Sequence, residues 1–149
     1  MYYLCTTRFS NETYEQNKRF CKLNNLKCYY SNPTSIPRIP NESIIFMLEL
    51  NINENKIMGI GRIRKDPIYN NINVYKDGTY NSICNFIGDE YIESIYIEEE
   101  EWYNKISDIC FMGRGHLKRG NAISRFPIEK LKEIDIIKIL CEKFNKKIK

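Results

Sequence analysis

Residues 111 to 120, Phe-Met-Gly-Arg-Gly-His-Leu-Lys-Arg-Gly, gather three glycines, three fixed cations and the only histidine of the chain. Glycine lets a backbone pass close to a partner and take conformations closed to other residues. Arg114, Lys118 and Arg119 add the donors that phosphates attract. With His116 among them, these residues read as the binding edge of the molecule. The plainer reading is a solvated loop that uses glycine for its turns and lysine and arginine for solubility.

A second group of residues could receive a nucleic-acid base. A flipped base needs a flat apolar surface for stacking, worth about 1 to 3 kcal/mol per base, and a few polar groups to read its edge. Tyr29, Tyr30, Tyr96 and Trp102 are the aromatic candidates, with Ser31 and Asn32 as polar readers. Arg125 joins the loop cations as a candidate phosphate contact, which raises affinity without reading sequence. For each tyrosine the plainer role is a part-buried ring with a satisfied hydroxyl, so only convergence in space would make a pocket.

Catalysis has less to work with. Any Ser/His/Asp or Cys/His centre would have to use His116, and its nearest thiol in sequence, Cys110, stands at a spacing with no mechanical meaning. No Walker loop, dinucleotide fingerprint or paired-histidine motif occurs, and Gly113-Arg114-Gly115 lacks the Lys-Ser/Thr that a phosphate-cradling loop requires. Asp89, Glu90 and Glu93 with the basic residues would suit a metal-dependent nuclease, a reading that ranks behind binding. Six cysteines, at 5, 21, 28, 84, 110 and 141, form no C-x-x-C pair, which argues against structural zinc. Most have apolar neighbours, as buried thiols do in reducing compartments. No catalytic residue, metal or cofactor is therefore expected.

The formal charge of +4 over 149 residues permits a polyanionic partner without demanding one. Glu98 to Glu101 is acidic, while Arg114 to Arg119 and the tail from Lys143 to Lys149 are basic, which would suit a one-sided positive surface or simply solvated faces. The amino terminus lacks the parts of a signal peptide, and no apolar run approaches the ~20 residues of a membrane span. A soluble, intracellular protein, cytoplasmic or nuclear, without a membrane partner is expected. The bias to Ile, Asn, Lys and Tyr is what AT-rich coding would produce; in a virus the location would be the interior of the host cell.

These residues must be carried by a scaffold, and the pattern supplies one domain of 149 residues. Residues 2 to 9 suit an opening strand, and a helix from Glu12 to about Leu23 is capped by Ser10 or Asn11. Lys27 to Ser31 reads as a strand, followed by a fixed loop at Pro33, Pro37 and Pro40. Ser43 to Ile52 and Lys56 to Ile63 form a β-hairpin about Asn53-Glu54-Asn55. Gly59 and Gly61 inside it mark a bulge or a close approach. Residues 66 to 82 read as an excursion, Glu90 to Glu98 as a strand, Glu99 to Ser107 as helical, and 128 to 144 as a closing amphipathic helix. The order implies an α+β domain built on a small curved sheet or β-barrel with flanking helices.

At this level the chain resembles the PUA-like superfamily, in particular its EVE and YTH domains. Tyr3-Leu4-Cys5-Thr6 with the following helix is similar to the opening of that family. Cys28-Tyr29-Tyr30-Ser31-Asn32 falls at its pocket-forming segment, although Tyr29 or Tyr30 stands where members commonly carry tryptophan. Ile57-Met58-Gly59-Ile60-Gly61-Arg62-Ile63 resembles its Gly-hydrophobic-Gly/Ala return strand, and Asn121 to Pro127 resembles its late strand ending at proline. The resemblance implies a small barrel that binds RNA or DNA, flips a modified base into an aromatic pocket and meets the phosphates with basic residues. Two classes of function follow: a non-catalytic nucleic-acid module, or a protein-interaction or regulatory module on the same scaffold.

Overall fold

Strand β1 (Tyr2–Phe9) passes directly into helix α1 (Asn11–Leu23), and Ser10 makes the corner. Its hydroxyl accepts the Thr13 N–H at 3.1 Å while its own N–H donates to the Thr13 hydroxyl at 2.9 Å, a reciprocal cap that answers two otherwise orphaned donors. This computed structural model describes residues 1–36 and 38–148, with side chains through Asn145; Pro37 of the proline loop and the end of the basic tail lie outside the described residues. After α1 come β2 (Cys28–Asn32), β3 (Ile44–Asn51), β4 (Lys56–Arg64), β5 (Ile68–Tyr69), β6 (Cys84–Gly88), β7 (Glu90–Glu93), α2 (Glu101–Phe111), β8 (Ser124–Arg125) and α3 (Ile136–Ile148).

The strands form two sheets, ordered β7-β4-β3-β1-β8 and β2-β6-β5. β1 runs parallel to β3, Tyr2 opposite Ile44 through Phe9 opposite Asn51, and the other pairings are antiparallel. The architecture is thus α+β with separate sheets, and the expected barrel is not closed. The larger sheet is buried on both faces, which accounts for the unbroken apolar run at Ile44 to Leu48. On one face Leu4, Phe46, Leu48 and Ile60 pack with Trp102, Ile106, Leu140 and Phe144 of α2 and α3. On the other, Cys5, Ile45, Met47 and Ile63 pack with Cys28, Tyr30 and Phe86 of the smaller sheet.

One acid sits inside this sandwich. Glu49 of β3 is fully buried; the Tyr30 and Tyr91 hydroxyls donate to it at 2.6 Å each, and the Lys18 ammonium lies 3.0 Å away. Gly59 and Gly61 make room for this cluster: a Cβ at 59 would overlap the Tyr91 hydroxyl, and one at 61 the Tyr30 hydroxyl. Both features anticipated at these glycines occur: two phenol groups approach them, and the β3–β4 register shifts beside Gly59, between Glu49 and Leu50. Burial alone would lower the pKa of Lys18, but Glu49, with Tyr14 and Cys21, outweighs it and holds the ammonium above its ordinary range. Burial, and then Glu49, push the Tyr91 phenol up.

Three boundaries differ from expectation. The strand expected over Glu90 to Glu98 ends at Glu93, where pairing with Gly59 stops, and Ser94–Tyr96 turns as a 3-10 helix. Ile95 and Tyr96, which continue the apolar pattern that suggested the longer strand, are both exposed. The closing helix is split: Ile128–Leu131 is a 3-10 turn, Lys132 takes φ +53°, and α3 begins only after Asp135, whose carboxylate accepts the Lys138 N–H. β6 carried no strand signal because Asn85 and Gly88 interrupt its short apolar run.

Candidate nucleic-acid interface

The glycine-basic segment leaves α2 and returns to the sheet as β8, beside β1. Gly113 and Gly120 lie at φ +76° and +88°, the left-handed region that glycine enters without strain. One guanidinium anchors the return. Arg8 of β1 donates from Nε to the Gly120 carbonyl at 2.9 Å and from Nη1 to the Leu117 carbonyl at 3.2 Å, and its Nη2 donates to the Ala122 carbonyl. Burial lowers its pKa, yet a guanidinium starting above 12 stays charged near neutral pH. From the other side, the Asn32 side chain accepts the Ile123 N–H at 2.7 Å.

Beside this anchored segment opens a cleft of about 100 Å³. Thr7, Arg8 and Phe9 bring β1 to it, Tyr30 and Ser31 bring β2, and Gly120 with Asn121 form the loop rim. The fourth wall comes from the excursion at 66 to 82. There the Asn81 side chain accepts both the Val74 and Tyr75 N–H groups at 2.9 Å and donates to the Tyr75 carbonyl at 3.0 Å, folding the loop on itself. The Tyr75 and Tyr80 rings meet edge to face with centroids 6.5 Å apart. Tyr75 is buried and its hydroxyl accepts from Asn17 at 3.1 Å; Tyr80 is 42% exposed and offers a ring to solvent. The cleft therefore combines aromatic walls, hydroxyls and a cation, with no carboxylate, thiol or imidazole among its described lining.

No family model matches the chain, and no curated protein or solved structure is similar to it.

The sequence-based candidates separate into three groups. Tyr30 and Ser31 line the cleft, Tyr30 from a buried position with its hydroxyl on Glu49 and Ser31 with its hydroxyl 3.5 Å from the Tyr80 carbonyl. Arg114, Lys118 and Arg119 lie on the segment that forms the rim and have no ion pair among the described residues; His116 Nδ1 accepts the Lys118 N–H at 3.2 Å and braces the loop. Arg125 is exposed on β8, its guanidinium 5.0 Å from the Tyr3 ring.

Four candidates are elsewhere. Tyr29 is fully buried against Phe20 with its hydroxyl on Asn85, since strand alternation sends it to the side opposite Tyr30, and burial pushes its phenol up to about 12. Asn32 is a structural clamp rather than a reader, because both ends of its amide are spent on Ile123 and Thr34. Trp102 packs in the core on the opposite face of the large sheet, where its Nε1–H has no partner among the described residues. Tyr96 stands exposed at a different cleft.

Sequence reasoning missed Arg8, Tyr75, Tyr80 and Asn121. Arg8 did leave a signal, as a lone charge inside the β-prone run Tyr2 to Phe9. Tyr80 had none beyond the Asp77-Gly78 turn before it. Among the described residues no group of histidine, cysteine and acidic side chains is arranged to hold a metal ion, and no helix is long and apolar enough to cross a membrane.

Proposed function

We propose that this chain is a non-catalytic nucleic-acid-binding module of PUA-like type that accepts an extruded base, including a modified one, in the cleft between β1, β2 and the 66 to 82 loop. One observation carries the reading: Tyr30-Ser31 and Gly120-Asn121, where the glycine-basic segment ends, are far apart in sequence and meet at a single cleft walled by Tyr75 and Tyr80. Tyr80 would stack on the base, Ser31 and Asn121 would meet its edge, and Arg114, Lys118 and Arg119 would hold the flanking phosphates. The non-catalytic assignment is supported by a described lining whose hydroxyls have no carboxylate, thiol or imidazole beside them to act as an activating base.

Fluorescence-anisotropy titration against short single- and double-stranded RNA and DNA, unmodified and base-methylated, tests this at low and physiological salt. Affinity is expected to fall steeply with salt, and joint replacement of Arg114, Lys118 and Arg119 by alanine to reduce the slope of log K against log salt by roughly 2 for a single strand. No binding at low salt would sink the proposal. A second reading, a protein-interaction module, is favoured by the exposed Ile68, Tyr69 and Ile83 on and beside the edge strand β5. Such a module has no reason to show salt-dependent binding to nucleic acid.

A further inference from the structure

The second half of α1 and the segment from β7 through the 3-10 turn enclose another cleft, of about 610 Å³. That size falls within the roughly 300 to 1,000 Å³ typical of small-molecule sites. The two clefts have no described lining residue in common; they sit at opposite ends of α1, one at Ser10 and Thr13, the other at Cys21 and Lys22. Leu26, Ile92 and Ile97 give the second cleft apolar walls, and Tyr96, which is 76% exposed, sets a whole aromatic ring at its edge. A large ring left in solvent beside an apolar hollow is more informative than a scattered surface leucine.

Four lysines surround this hollow, and they are not equivalent. Lys18 is answered from beneath by Glu49 at 3.0 Å and held 4.2 Å from the centre of the Tyr91 ring. Lys143 is paired with Glu100 at 2.5 Å. Lys22 and Lys27 have no ion pair among the described residues, and Glu93 is the single carboxylate on the described lining. Burial pushes the Cys21 thiol in the wall up to about 11, so it stays protonated and offers no nucleophile. The hollow is thus built to hold and not to react, with an excess of positive charge at one side of an apolar floor.

We infer that this cleft binds a small organic anion with an apolar body, whose ring or chain lies against Tyr96, Leu26 and Ile97 and whose carboxylate or phosphate meets Lys22 and Lys27. An inorganic anion would leave the apolar walls wet, and a cation would face Lys22 and Lys27 with Glu93 as the single carboxylate on the described lining.

Titration with 8-anilinonaphthalene-1-sulfonate, an anion of this shape, tests the site in the intact protein. Saturable fluorescence enhancement is expected, with displacement by adenosine monophosphate if the natural ligand is a nucleotide, or by octanoate if it is an acyl anion. Lys22→Glu with Lys27→Glu is expected to weaken probe binding at least roughly tenfold, about 1.4 kcal/mol. Tyr96→Ala is expected to weaken it as well. All three side chains are exposed, and reversing Lys22 in the last turn of α1 should cost at most about 1 kcal/mol, so the melting temperature should fall by no more than a few degrees. Absence of saturable probe binding, probe binding unchanged by the double charge reversal, or displacement by inorganic phosphate as readily as by either organic anion would overturn the inference. Oligonucleotide binding measured in the same variants should stay at the wild-type level, which keeps this test separate from that of the first cleft.

Discussion

At Glu49 a carboxylate without solvent exposure has Tyr30, Tyr91 and Lys18 gathered around it, and two glycines are shaped to admit the hydroxyls. At residues 114 to 119 three cations stand on a glycine loop with no ion pair among the described residues, and the loop is steadied through its carbonyls by Arg8. Both regions are polar, but the first uses its charge internally and the second leaves its charge available. A buried charge must be matched by the fold because desolvation costs several kcal/mol per ion, whereas a solvated cation carries no such demand. The difference teaches where to look for function: at groups that the fold positions without using.

Removing the acid is the hardest test of the internal region. Glu49→Ala leaves Lys18 charged and two phenols without an acceptor, and is expected to lower unfolding free energy by about 3 to 5 kcal/mol in urea denaturation. A loss below about 1 kcal/mol would erase the contrast between the two regions.

Alkaline pH attacks that region together with the cores on both faces of the large sheet. Burial pushes the Cys5, Cys28 and Cys110 thiols up to about 12 from 9.0, and it pushes the Tyr30 and Tyr91 phenols up as well. The folded state therefore keeps protons that the unfolded chain gives up above pH 9. Stability should be fully present below that pH and fall as pH rises, on the order of 1 kcal/mol per pH unit for each thiol. Thermal melts between pH 8 and 11 will show it; a flat profile contradicts the burial of these groups.

Smaller effects sharpen the boundary. Gly61→Ala places a methyl group against the Tyr30 hydroxyl and should cost about 1 to 3 kcal/mol. Tyr30→Phe in the same chain should recover part of that loss, because it removes the colliding oxygen; strict additivity of the two changes in a double-mutant cycle would reject the contact. Tyr80→Ala, in the cleft beside the second region, should cost only about 1 kcal/mol of stability through its edge-to-face contact with Tyr75 while lowering oligonucleotide affinity by about 1 to 3 kcal/mol. Lost stability with unchanged affinity would reverse the roles assigned to the two regions.

Much of the scaffold was legible before any coordinates. Ser10 announced α1 through its cap, and the apolar runs on either side of Asn53 to Asn55 announced the β3–β4 hairpin. These are local signals, set by hydrogen bonds and side-chain periods within a dozen residues. The elements that misled were those whose local pattern competes with pairing: Ile95 and Tyr96 continue a strand period after the strand has left its partner.

The sequence by itself determined an α+β chain, its first helix, its central hairpin, and a segment at 111 to 120 where glycines and cations are concentrated. Only the tertiary structure decided that Tyr30 lines a cleft from its buried position while Tyr29 packs on the opposite side, that Trp102 belongs to the core, and that Tyr75 and Tyr80 wall the cleft. It alone joined Glu49 to Lys18 and Tyr91, which lie 31 and 42 residues away. The physical reason is range. Caps and periods act between neighbours, but whether a ring is a wall or a core residue depends on which strand lies opposite it. That register is set by burial summed over the whole sheet.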